Sequence, residues 1–375
     1  MPAPTAPTWL DACSLFSELA DDLLVRSARE VHDAVADRVG GYPGRGIADV
    51  VHGGLGLGLR ATSAVLGKVA DAGIGPPLEA GHRGRFVNSS LNGLIGDRLA
   101  AERPRMAISM AVRADGSDVP LTATGLATAF PEATGRVVLF AHGLCENEAY
   151  WQRGRDRTGT TYGEMLAERG WTPVYLRSNT GLGVRENGVA LAALGQSLVE
   201  AWPVPVERVA LVGHSMGGLV VRAAGAVASA AAKPWHDLVS DVVTLGTPHL
   251  GAPIARGIGH GSPRLGRRRE TAWLGRILDQ RSLGVHDLVE GLAHEVPPLP
   301  HARYRLVAGT LTNHPRHPVG HLVGDLLVRV HSAHGKDRHG QELFPGGTAL
   351  HVGRTDHFGL LNHPAVHTAL QDWLA

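Results

Sequence analysis

The stretch Val209-Ala210-Leu211-Val212-Gly213-His214-Ser215-Met216-Gly217-Gly218 decides the reading of this chain. Val209 to Val212 is a run of strand-forming apolar residues, and Leu219 to Ala232 has the Ala/Val-rich composition of a helix. Between them stands Gly-x-Ser-x-Gly. A serine hydroxyl is a poor nucleophile until geometry and a base activate it. A strand that turns sharply into a helix supplies the geometry, leaving the serine at the tip of a strained elbow with Oγ clear of the backbone. Gly213 and Gly217 lack a Cβ, so strand and helix can pass closely around that turn. The helix N-terminus then points backbone N–H groups at the place where an oxyanion would form. The five-residue pattern alone is a weak signal. Its position between strand and helix makes it a strong one.

On both sides of this stretch, apolar runs alternate with helical segments. From Met106 onward, Ile108 to Val112 and Val119 to Thr122 flank Asp115-Gly116, the signal of a hairpin turn. Arg136 to Ala141 reads as a fully buried strand, and Thr161 to Arg169 as a helix. Thr172 to Leu176 is the next strand, followed by a helix over Asn187 to Ala201. Val239 to Leu245, Tyr304 to Ala308 and Leu350 to Gly353 complete the strands, before a terminal helix from Pro364 to Leu374. This alternation predicts an α/β fold, a doubly wound and mostly parallel sheet with right-handed crossovers.

The N-terminal part reads differently. Trp9, Cys13, Phe16, Leu19, Leu23, Val31 and Val35 recur at helical spacing as far as about Val39, where Gly40-Gly41-Tyr42-Pro43-Gly44 ends the pattern. A Gly-rich helical stretch follows from Ile47 to Ala72, closed by Gly73-Ile74-Gly75-Pro76-Pro77. The expected organisation is an N-terminal helical segment over 1–100 and a catalytic domain over 101–375. Amphipathic helices of this kind pack on a neighbouring domain, dock at a membrane surface or form a dimer contact, and the oligomeric state stays open.

Composition narrows the class. The chain has 375 residues, a net charge of +1 and 19% charged residues, a balance that gives no sign of a nucleic-acid partner. Its two cysteines, Cys13 and Cys145, make no disulfide scaffold and read as reduced. The longest candidate span, Ile47 to Ala70, is broken by Asp49, His52, Arg60 and Lys68, so no membrane-crossing helix is expected. The first residues lack a basic stretch followed by an apolar one, so the expected location is cytoplasmic, with peripheral membrane contact left open.

A nucleophilic serine needs a base, an orienting carboxylate and an oxyanion hole. Of the 21 histidines, His357 is placed best, in a loop after the last strand and before the C-terminal helix. His351 lies within the strand, while His363 and His367 lie in or beside the helix. Asp325 leads as the acid because it follows Tyr304 to Ala308 and precedes the last strand; Asp337, in a polar loop, is the alternative. The oxyanion donors expected are the N–H of Met216 and that of Leu144, in Phe140-Ala141-His142-Gly143-Leu144, where Gly143 permits close approach. His142, Gly143 and His214 are expected to line the substrate position, with His142 either holding the loop or acting as a second base. Cys145 reads as a packed thiol. His314, His317, His321, His331, His334 and His339 cluster near the acid without zinc-finger spacing, so no metal and no other cofactor is expected.

Ser215, Asp325 and His357 in this chain order, with His142-Gly143 upstream, resemble the α/β-hydrolase fold. Thr247-Pro248-His249-Leu250-Gly251 after a strand is similar to the lipase and esterase branch. Asn179-Thr180-Gly181 followed by Glu186-Asn187-Gly188 resembles bacterial lipase-like proteins related to the GPI inositol-deacylase group. The resemblance runs from about Arg136 to Ala375. It implies a carboxylic-ester hydrolase that works without cofactor through an acyl-enzyme, on lipid-like or other apolar acyl esters. An acyltransferase or a polyester depolymerase would use the same triad, and a non-catalytic binding module could use the same scaffold. The segment 251–300, with Trp273, Leu274, Ile277, Leu278, Leu283 and Leu288, is expected to be a helical cap or a packing insert. Its run Arg267-Arg268-Arg269, with Arg264, reads as a solvated turn or an anionic-headgroup contact.

Overall fold

Alternation within buried strands builds the core. In the strand Arg208–His214, Val209 and Leu211 face one apolar cluster while Ala210 and Val212 face the other. Val137 and Leu139 divide from Val138 and Phe140 in the same way along Arg136–Ala141. Both faces are therefore covered, which is why these strands read as continuous apolar runs instead of alternating ones. Each fully buried Val or Leu contributes about 1.5–3 kcal/mol on this basis.

The structure, a computed structural model, describes residues 6–21, 25, 45–252, 282–292, 296–315, 317, 324–337 and 339–375. Most of the expected cap, 253–281, lies outside them, and so do Arg264, Arg267, Arg268, Arg269, Trp273, Leu274, Ile277 and Leu278. Leu23, Val31, Val35 and His321 lie outside them as well. Two compact units divide the rest: one comprises residues up to 91 with 98–107, the other 92–97, 108–252 and 282–375.

In the first unit, α1 spans Trp9–Ala20 and opens with a capping box between Thr8 and Asp11. The helix α2 covers Arg45–Asp71, starting two residues before the expected Ile47 to Ala72 and ending one residue short of it. Arg105 joins the two, donating to Asp11 at 2.6 Å, to Asp71 at 2.7 Å and to the Ala70 carbonyl at 2.9 Å. The helix α3, His82–Glu102, departs from helical geometry at Ile95. The sequence pattern did not delimit it, because its apolar residues follow no single stripe.

The second unit holds an eight-stranded sheet in the order β2-β1-β4-β3-β5-β6-β7-β8. The strands are β1 Ala111–Ala114, β2 Ser117–Asp118, β3 Arg136–Ala141, β4 Thr172–Arg177, β5 Arg208–His214, β6 Val239–Leu245, β7 Arg303–Gly309 and β8 Thr348–Val352. From β4 to β8 every neighbouring pair is parallel, while β1 pairs antiparallel with β2 and β4. The doubly wound, mostly parallel α/β sheet expected from the alternation is the observed one. Helices α4 Tyr162–Ala167, α5 Val184–Ala201, α6 Met216–Gly225, α7 Leu283–Glu290 and α8 Pro364–Trp373 accompany it. Among the described residues no helix is long and apolar enough to cross a membrane.

Two expectations need correction. The hairpin is shorter than read and begins later: Asp115 and Gly116 take left-handed φ of 48° and 75°, fixing the register Ala114↔Ser117, and Pro120 cannot extend the ladder. Residues 108–110 therefore precede the sheet. The helix after Ser215 ends at Gly225 and does not reach Ala232. At Gly225 a Cβ would lie 2.9 Å from Leu299 Cγ, and Ser229 Oγ accepts the Ala231 N–H in a local turn that competes with helix.

Candidate active site

Ser215 sits where β5 ends and α6 begins, with φ 52° and ψ −122°, a conformation that a non-glycine residue rarely takes. The elbow is held by its surroundings. The Ser215 N–H donates to the Leu245 carbonyl at the end of β6 (2.8 Å), and the Ser215 carbonyl accepts from Gly218 (3.1 Å). A Cβ at Gly213 would lie 2.5 Å from the Gly218 nitrogen, and one at Gly217 would run into the Ala141 carbonyl. The two glycines flanking the serine are thus forced by backbone contact between β5, β3 and α6.

Asp325 and His357 meet beside this elbow. His357 Nδ1 and Asp325 Oδ2 are 2.8 Å apart, and the His357 N–H donates to the Asp325 carbonyl at 2.9 Å. Asp325 Oδ1 accepts the N–H groups of Leu327 (3.0 Å) and Val328 (2.8 Å). With its second oxygen so committed, the carboxylate aims Oδ2 at the imidazole. Gly246, one residue past β6, has φ 57°, and a Cβ there would lie 3.1 Å from both Asp325 Oδ2 and His357 Cε1. The elbow after β5, the turn after β6, the loop after β7 and the loop after β8 converge at the carboxyl ends of parallel strands. Asp337, the alternative acid, spends Oδ1 on the N–H groups of His339 and Gln341 in a separate turn. His351 pairs with Thr310 Oγ1, His363 caps α8, and His367 packs on the Tyr162 ring. Ser215 Oγ makes no hydrogen bond among the described residues.

The loop after β3 lies against the serine. A Cβ at Gly143 would sit 3.0 Å from Ser215 Cβ and 3.0 Å from Glu146 Oε1, so a side chain there would push on the serine or on Glu146. Gly143 donates its N–H to Glu146 Oε2 at 2.7 Å, and Glu146 returns its N–H to the Gly143 carbonyl at 3.2 Å. Cys145, at φ 61°, turns the chain between them and donates its N–H to Thr180 Oγ1. The N–H of Leu144 takes part in none of these bonds. The Cys145 thiol packs against Gly93, and burial, aided by the Glu146 charge, pushes it up to about 11. No disulfide joins it to Cys13.

His142 and His214 are both buried, with both ring nitrogens of each engaged. His142 Nδ1 bonds the Gly143 carbonyl at 3.0 Å, and Nε2 accepts the Ser178 N–H at 3.1 Å. Burial lowers its pKa despite the Gly143 bond and the nearby Glu146. With both nitrogens engaged, the ring takes the loop-holding place, one of the two readings the sequence offers for it. His214 Nδ1 bonds the Glu146 carboxylate (2.9 Å to Oε1, 3.1 Å to Oε2), while Nε2 lies 3.2 Å from the His357 carbonyl. Burial works against the charge of His214, but the field and hydrogen bond of Glu146 outweigh it and raise its pKa. In the same way burial raises Glu146, and His214 with the Gly143 N–H brings it below the usual carboxylate value.

Glu146 was not singled out in the sequence. The signal available was a carboxylate three residues after Gly143 in the loop that follows a buried strand. Asn179 and Asn187, noted for their family resemblance, brace the same region. Asn187 Nδ2 donates to the Asn179 carbonyl at 2.9 Å, and Asn179 Nδ2 donates to the Gly96 carbonyl at 3.0 Å. The described part of the 251–300 segment, α7, reaches the nucleophile region: Gly284 donates to the Gly181 carbonyl, and a Cβ on it would lie 3.0 Å from Met216 Cε. Among the described residues no group of three or more His, Cys, Asp or Glu side chains could hold a metal ion.

Parts of this chain are similar to known proteins. The PGAP1-like alpha/beta domain family matches residues 194–263, from α5 through β5, Ser215 and β6 into the following segment. No curated protein sequence matches the chain. Among solved structures, a mature lipase of Bacillus licheniformis aligns at 22% identity and TM-score 0.45, over 65% of this chain and 93% of its own. An esterase of Thermogutta terrifontis aligns at 15% identity and TM-score 0.39, over 64% and 90%. A carboxylesterase of Bacillus subtilis aligns at 13% and 0.38, over 65% and 84%. The chain folds as a doubly wound, mostly parallel α/β sheet and resembles the PGAP1-like alpha/beta domain across its nucleophile strand.

Proposed function

We propose that the protein is a serine carboxylic-ester hydrolase acting on apolar acyl esters through an acyl-enzyme. The observation that carries this reading is the strained Ser215 elbow beside the 2.8 Å bond between His357 and Asp325. In this reading Ser215 Oγ attacks the ester carbonyl carbon and its proton passes to His357 Nε2. The tetrahedral oxyanion accepts hydrogen bonds from the N–H groups of Leu144 and Met216. Collapse expels the alkoxide, which takes the proton from His357 and leaves as alcohol. Water then attacks the acyl-Ser215 with His357 again as base, releasing the acid. Asp325 holds His357 in the tautomer that presents a free Nε2, and it stabilises the imidazolium. No cofactor enters these steps. A cytoplasmic location and lipid-like ester partners complete the reading.

The test is turnover of p-nitrophenyl esters from acetate to palmitate, with butanol added in a parallel series. Free acid as the main product at every butanol concentration supports hydrolysis. Preferential butyl ester formation in water replaces the hydrolase with an acyltransferase on the same triad.

A further inference from the structure

The Glu146–His214 pair is buried beside the nucleophile, yet none of the steps above uses it. Glu146 and His214 are 3% and 0% exposed. The carboxylate binds the Gly143 N–H at 2.7 Å and His214 Nδ1 at 2.9 Å, while His214 Nε2 reaches the His357 carbonyl at 3.2 Å. The ring centroids of His214 and His357 are 4.8 Å apart, and His214 directly precedes Ser215. Carboxylate and carbonyl oxygens both accept, so His214 satisfies both contacts only by donating from both nitrogens. That is the imidazolium form, and a buried imidazolium is tolerable because its carboxylate lies against it.

We propose that this pair positions the reacting groups, fixing the Gly143–Glu146 turn, the serine elbow and the His357 loop against one another. The turn closes through reciprocal bonds between Gly143 and Glu146, and Glu146 thereby sets the direction of the Leu144 N–H. His214 transmits the same anchor to the loop that carries His357. The pair is also neutral as a unit, so it buries no net charge beside the nucleophile. Asp325 faces His214 from the loop after β7, and His142 and Tyr150 face Glu146 from its own loop. This inference rests on the serine-hydrolase reading.

The test measures the rate at which a serine-directed fluorophosphonate labels Ser215, together with kcat and KM for a p-nitrophenyl ester and the thermal midpoint. Glu146→Ala removes the acceptor from Gly143 and His214 together. His214→Gln keeps a donor for Glu146 but cuts the link to His357. Glu146→Gln is the conservative rescue, since its oxygen can still accept from Gly143 and its amide can donate to a neutral His214. Glu146→Ala and His214→Gln should label about 10²-fold or more slowly, the scale of a misaligned oxyanion-hole donor, with KM within about twofold. Glu146→Gln should stay within about tenfold of the wild type. Labelling of folded Glu146→Ala or His214→Gln within about threefold of wild type would overturn the proposal, as would a loss expressed wholly in KM. Failure of both to fold would also overturn it, making the pair a folding element. A wild type that is not labelled at all would instead remove the serine-hydrolase reading, and this proposal with it.

Discussion

Replacing Asp325 by Asn inverts the hydrogen-bond logic of the site while barely changing its shape. Asp325 Oδ1 accepts from the N–H groups of Leu327 and Val328, at 3.0 and 2.8 Å, so the Asn oxygen is held at that end. Its NH₂ group must then face His357 Nδ1 at the 2.8 Å position of the present bond. Nδ1 becomes an acceptor, the ring proton moves to Nε2, and the nitrogen that should take the serine proton is already protonated. Tautomer inversion of this kind in a serine triad costs about 10⁴ in kcat, or about 5.5 kcal/mol of transition-state stabilisation. The backbone bond from the His357 N–H to the Asp325 carbonyl remains, so the loop keeps its course. Steady-state hydrolysis of a p-nitrophenyl ester near pH 8, with circular dichroism as the folding control, reads the effect. Folded Asp325→Asn with more than a tenth of the wild-type kcat would refute the assignment of Asp325.

Other substitutions and conditions probe the neighbouring groups. Gly143→Ala brings a methyl to 3.0 Å from Ser215 Cβ and Glu146 Oε1, and kcat should fall about 10²–10³-fold as the Leu144 N–H is displaced. An unchanged kcat would mean that this loop does not hold the oxyanion. Cys145, pushed up to about 11, is ionised to about one part in a thousand at pH 8, so brief iodoacetamide treatment should alkylate the exposed Cys13 and spare Cys145 until urea is added. Mass spectrometry of the native digest decides this. Glu146 is held below the usual carboxylate value, so its contribution to stability is present above about pH 4.3 and is lost as pH falls through its folded value. His214 is held above the usual imidazole value, so its contribution is complete below about pH 6.5 and is lost as pH rises through its folded value. The Tm difference between wild type and Glu146→Gln should therefore be larger at pH 6 than at pH 9, and scanning calorimetry showing the reverse would contradict the charged pair.

The sheet was legible because both of its faces are buried, so Val209 to Val212 and Arg136 to Ala141 stand out as apolar runs whatever packs on them. The elbow was legible for the same reason, its two glycines marking a backbone contact that no other residue allows. The hairpin and the end of α6 were less so. There, Asp115-Gly116 marks the turn, but the strand lengths set by the register Ala114↔Ser117 and the packing of Leu299 at Gly225 are not visible in local propensity. Asp325 could be ranked by its place in the chain, but its separation from Asp337 is a matter of which oxygen each turn consumes. Glu146 was hidden altogether. Its role depends on the positive φ of Cys145 folding the loop back under Gly143, and on His214 arriving from β5 some 68 positions later. Nearness of His142 and His214 to the serine in sequence does not reveal whether a ring points at the substrate or into the protein; both rings engage protein groups through both nitrogens.

Ser215 is the proposed nucleophile. The most direct test is peptide mapping of the fluorophosphonate adduct, with turnover of wild type and Ser215→Ala measured on the same ester series. One adduct, on Ser215, is expected, with a loss of kcat approaching the roughly 10⁶-fold seen when serine triads are dissected. An adduct elsewhere, or Ser215→Ala retaining most of the wild-type turnover, would contradict it.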